Sequence, residues 1–221
     1  MQTLHRILVV VHVIAGFSAL LTGLLAMLSA KGGRAHRVSG KIYFWSMVVS
    51  CATALTVGVL FHKWFFFFLA FITFESAARG YRILSRKQIH APQAPGFRDW
   101  LLVLVNAAMS AGIIGWGLRI MLAGGTFGIV ALVFGLLGLF VSYDYYRTFN
   151  RKAPDAEHWL RMHIRGMSIS YIAATTAFLV NNDNWFPFIP PVLLWLLPSM
   201  IGVPVVLWVI GKYKPKADSV G

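Results

Sequence analysis

The sequence predicts an all-α integral membrane bundle of seven transmembrane helices, a single polytopic domain over residues 1–221 with its N-terminus outside and its C-terminus cytoplasmic. Three observations predict it. The chain is 58% apolar and only 12% charged, with mean hydropathy +0.70, where a soluble domain has about 45–50% and about 25%. The apolar residues gather into seven runs of about 20 residues, the length that crosses a hydrocarbon core as a helix. Basic residues fall almost wholly on alternate connections between those runs.

The first run, Ile7–Ser29, follows Arg6 and ends at small residues as a secretory signal does. It exceeds the 7–15 apolar residues of such a signal, so it reads as a retained helix. Lys31-Gly32-Gly33 then turns the chain. The second run, Ile42–Phe61, holds Cys51, the single cysteine, which excludes an intrachain disulfide, a Cys-rich zinc site and a c-type haem attachment. The third, Trp64–Leu84, leads into a loop containing Pro92, Pro95 and Gly96. The fourth and fifth, Trp100–Leu122 and Phe127–Phe149, meet at Gly124-Gly125. The sixth, Trp159–Val180, precedes an Asn- and Pro-rich outer loop, and the seventh, Val192–Ile210, contains Pro198 and Pro204 around Gly202. Those prolines predict a kink with freed carbonyls, a weak pointer to a transport or ligand pocket. Ala19 with Gly23, Ala111 with Gly115 and Gly128 with Gly135 have the spacing of small residues that lets helices approach closely in lipid.

The formal charge of +13 would suggest nucleic acid in a soluble protein. Here 17 of the 20 basic residues lie on one side if the runs alternate, leaving only Arg6, Lys63 and Arg119 on the other. Basic residues are retained on the cytoplasmic side, so the excess is a topology signal and nucleic acid is excluded as a partner. The tryptophans agree, because indole prefers the headgroup level. Trp45, Trp100, Trp159 and Trp208 fall near inner ends; Trp64, Trp116, Trp185 and Trp195 fall near outer ends.

A strongly polar group inside a span costs roughly 2.5–3.5 kcal/mol on insertion scales, so each needs a reason. Glu75, Asn106, Asp144 and His163 all fall in the inner half of the bundle, and His12 in the outer half. Glu75 precedes Arg79 by four residues, the spacing of an intrahelical pair. Asp144, among Tyr143, Tyr145 and Tyr146, reads as a solvated interfacial residue, and Asn106 with Ser110 as an interhelical hydrogen-bonding group. His12 stands one turn from Gly16, and His163 shares a face with Met167 and Tyr171 beside Gly166 and Ser170. A histidine beside a glycine supplies a ligand and the space a flat macrocycle needs, as in membrane b-type haem sites; it also suits plain close packing. His36, in the first cytoplasmic connection, meets His163 if that loop folds back under the bundle. The five-residue spacing of His158 and His163 is not that of a helical zinc pair.

Several stretches together resemble a known family. His12-Val13-Ile14-Ala15-Gly16, His36-Arg37-Val38-Ser39-Gly40-Lys41, Gly80-Tyr81-Arg82, His163 with Met167 and Tyr171, and Pro190-Pro191 before Trp195 are similar to the bacterial predicted-membrane-protein family called domain of unknown function 2306. The resemblance implies a multi-pass protein of the bacterial inner membrane with His12, His36 and His163 at motif positions, and it implies no activity.

Three functions follow as expectations. The first is a redox protein holding haem b or a metal ion through His12, His36 and His163. The second is a non-enzymatic transporter, sensor or structural subunit, with the lipid bilayer, other membrane proteins or a second copy as partners. The third is a metal-dependent hydrolase using Glu75, Asp144 and His163. No glycine-rich phosphate loop follows a strand, so soluble nucleotide chemistry is excluded.

Overall fold

The computed structural model describes residues 1–86, 96–149 and 157–213, and in these it is helical without strands. Seven helices run in sequence: α1 (Gln2–Leu28), α2 (Arg34–Leu60), α3 (Trp64–Arg82), α4 (Phe97–Leu122), α5 (Phe127–Phe149), α6 (His158–Asn181) and α7 (Pro191–Gly211). Short 3-10 turns, Ile83–Arg86 and Asp183–Trp185, follow α3 and α6. The loop prolines Pro92 and Pro95, and the basic residues Lys87, Arg151, Lys152, Lys214 and Lys216, lie outside the described residues.

Five helices, α1, α2, α4, α5 and α7, are long and apolar enough to cross a membrane, with mean hydropathies from 1.7 to 2.3. The two that fall short, α3 and α6, bear Glu75, Arg79 and Arg82, and Arg161, His163 and Arg165. Their position explains it. α3 packs on α2, α4 and α6, and α6 packs also on α7 and α1. Surrounded by apolar neighbours, this central pair needs less apolar surface of its own.

The centre is built on glycine. Where α3 crosses α6, a Cβ on Gly80 would lie 2.8 Å from the Met167 nitrogen, and one on Gly166 would lie 2.6 Å from the Ser76 carbonyl oxygen. α4 and α5 are joined similarly, with Gly128 against the Gly117 carbonyl and Gly135 against the Ser110 carbonyl. Gly23 of α1 receives the Tyr171 ring. The Ala111 and Gly115 pair does not pack as expected: both are exposed, and a Cβ on Gly115 would meet nothing.

One further expectation needs correction. α2 starts at Arg34 instead of Ile42, so His36 lies in a helix and not in a loop. Gly32 takes the left-handed turn (φ 76°) and Gly33 the extended N-cap; beyond them Arg and Lys are good helix formers, so the helix continues past the apolar run. α7 stays helical through both Pro198 and Pro204. Trp195, near the start of α7 as the span ladder expects, is buried, packing edge-on against Phe65, Phe127 and Phe134.

Candidate functional site

At one end of the bundle, the first two turns of α2 and α6 face the last turns of α1 and α3. Helix ends leave carbonyls without intrahelical partners, and two histidines meet them. His36 Nδ1 lies 2.8 Å from the Ala26 carbonyl oxygen in the last turn of α1. His163 Nδ1 lies 2.8 Å from the Gly80 carbonyl oxygen in the last turn of α3. A carbonyl only accepts, so each Nδ1 bears the proton and donates it, and in the neutral ring the lone pair resides on Nε2. Lys31 also donates to the carbonyls of Ala26 and Met27, completing the end of α1.

Capping accounts for each imidazole singly. It does not account for their convergence. The rings of His36 and His163 stand with centres 6.3 Å apart and planes at 76°. Gly40, one turn from His36, has open space beside it. The space expected at Gly166 is absent, because the α3 backbone fills it.

About 10 Å deeper, seven residues along both α2 and α6, lies a second polar contact. The Tyr43 hydroxyl donates to Ser170 Oγ at 2.6 Å, and Ser170 donates to the Met167 carbonyl at 2.9 Å. Tyr171 donates to the Leu20 carbonyl at 3.3 Å, with its ring tilted against Tyr43. A polar seam thus runs from the histidine pair toward mid-depth between α1, α2 and α6. Tyr43 was not singled out from the sequence, although its seven-residue offset from His36 places it on the same face.

His12 belongs to a different place. Its Nδ1 lies 2.9 Å from the Ser50 carbonyl oxygen, with Ser50 Oγ and Thr53 Oγ1 both at 3.2 Å, tying α1 to α2. A Cβ on Gly16 would make ordinary contact with Ser50 Oγ at 3.7 Å, so packing does not demand that glycine.

Glu75 and Asp144, the carboxylates expected in the inner half, are held in ion pairs. Glu75, almost wholly buried, pairs with Arg79 on its own helix, and the Arg79 guanidinium lies 3.6 Å above the Tyr145 ring. Asp144 is paired with Arg165 of α6, its side chain still 23% exposed. The burial of α5 against its neighbours puts a carboxylate and a guanidinium at one depth, where pairing beats separate solvation. Asn106 donates to Ser142 Oγ at 2.9 Å and to the Gly138 carbonyl at 3.3 Å, joining α4 to α5 as expected. Its Oδ1, fully buried, has no hydrogen-bond partner. Among the described residues no group of three His, Cys, Asp or Glu side chains is arranged to hold a metal ion. No family model, curated protein or solved structure matches this chain.

Proposed function

We propose that this chain is a seven-span protein of the bacterial inner membrane, N-terminus outside and C-terminus cytoplasmic, that holds haem b between His36 and His163 and serves electron transfer. Membership of domain of unknown function 2306 belongs to the same proposal and rests on the motif residues alone. The carrying observation is the histidine pair. His36 and His163, with ring centres 6.3 Å apart, would be the residues that hold the group, each through Nε2. Hydrogen bonds from Nδ1 to a carbonyl are the usual support of a ligating histidine; they fix the ring and raise the basicity of Nε2.

The ligand count favours haem over a bare ion. A porphyrin brings four nitrogens and asks the protein for two axial ligands, whereas a structural or catalytic zinc takes three or four protein ligands. The open flank at Gly40 suits a flat group. A bound haem supplies a one-electron couple. The carbonyls of Ala26 and Gly80 would orient the two imidazoles, both half-buried.

The seven-span topology draws its support from the one-sided basic residues and from the central position of α3 and α6. A second reading, a transporter, sensor or subunit without cofactor, is favoured by the same two capping bonds, since a helix cap needs no iron. An absorbance spectrum of protein made with adequate haem separates the two. A Soret band that is lost in both His36→Ala and His163→Ala supports the redox reading; no band in the wild type supports the second.

A further inference from the structure

We infer that the outward face of α2, with α1 beside it, is a binding site for one anionic phospholipid of the inner leaflet; the inference rests on the membrane orientation proposed above. Arg34, Arg37, Lys41, Trp45 and Val49 follow one another at three- and four-residue steps, so they form one stripe along α2. All five are exposed. The stripe begins basic, passes through an indole, and ends apolar over about 22 Å, the same order as headgroup, glycerol region and acyl chain.

A groove accompanies the stripe. Val11 and Ile14 of α1 and Ile42, Trp45 and Val49 of α2 line a cleft of about 520 Å³ with Lys41 at its inner mouth. Its walls are almost entirely apolar, which suits a hydrocarbon chain and not a polar solute.

Charge selects the occupant. Arg34, Arg37 and Lys41 form no ion pair among the described residues. Neither α1 nor α2 supplies a carboxylate, because the first Asp or Glu of the chain is Glu75. Three uncompensated cations above an apolar cleft are complementary to a lipid whose headgroup is an anionic phosphodiester without a balancing cation. Phosphatidylglycerol has that chemistry; zwitterionic lipids lack the net charge. Each basic residue near a membrane surface contributes roughly five-fold in apparent affinity for anionic lipid.

Trp45 reports occupancy of the cleft directly. The full-length protein and its Trp45→Phe variant are reconstituted in phosphatidylcholine vesicles, brominated phosphatidylglycerol or brominated phosphatidylcholine is titrated in, and the fluorescence difference between the two proteins isolates Trp45. With three such residues the site predicts half-quenching at a mole fraction of the anionic lipid lower by on the order of 100-fold. It predicts that Lys41→Gln, folded by circular dichroism, brings the two curves closer by roughly five-fold, and that Arg34→Gln, Arg37→Gln and Lys41→Gln together make them coincide. Coincident curves in the wild type, or an anionic preference that survives the triple substitution, overturn the site while leaving the membrane reading intact. Failure of either lipid to quench any tryptophan overturns the membrane reading itself.

Discussion

Gly80 and Gly166 touch backbone to backbone where α3 crosses α6, and it is this contact that brings His163, one turn before Gly166, to the Gly80 carbonyl. A side chain at either glycine would push the helices apart and draw the imidazole off its acceptor. The position of the histidine thus depends on two residues with no chemistry of their own.

Gly166→Ala should therefore destabilise the protein by about 1–3 kcal/mol, the usual cost of overpacking a tight contact. Gly115→Ala should leave stability unchanged or raise it by up to about 1 kcal/mol, since its Cβ meets nothing and Ala is the better helix former. Thermal unfolding of both variants in the same detergent checks the pair. Equal effects would mean that the α3–α6 crossing is looser than described.

The Glu75 and Arg79 pair makes a different prediction. Each partner is buried, with side-chain exposures of 1% and 10%. Glu75→Gln or Arg79→Met alone leaves the other charge in an apolar setting and should cost about 3–5 kcal/mol. The double substitution should recover most of that loss, because an apolar or neutral pair of similar size needs no compensation. A double-mutant cycle by equilibrium unfolding gives the coupling, and strictly additive losses would contradict the pairing.

Reporter fusions test the topology. Alkaline phosphatase, active only outside, should be active when fused before α1 and inactive when fused after α7; a green fluorescent fusion after α7 should fluoresce. Both ends on one side would remove α3 or α6 from the set of spans and displace the histidine pair from its assigned depth.

Much of this fold was legible in the sequence because a membrane span is a long, redundant signal. Twenty apolar residues outweigh any single misplaced one, so all seven runs became helices. What was missed lies where the deciding contact is distant in sequence. The burial of Trp195 is invisible in the sequence because Phe65, Phe127 and Phe134, which surround it, come from distant segments. His36 looks like a loop residue because hydropathy falls at Ile42, yet backbone hydrogen bonding carries α2 on to Arg34 without apolar side chains. The slot beside His163 looked open because a glycine in sequence does not say whether a ligand or another backbone fills its space; here α3 does. The approach of His36 to His163 was conditional on a folded-back loop and is reached by a helix instead.

The most direct test of the histidine pair is the electron paramagnetic resonance spectrum of the ferric protein purified with haem. Two imidazole ligands with planes near the 76° of the structure predict a highly anisotropic low-spin signal, retained in His12→Ala and lost in His36→Ala and in His163→Ala. A high-spin signal in the wild type, or a low-spin signal that survives loss of either inner histidine, would contradict the assignment.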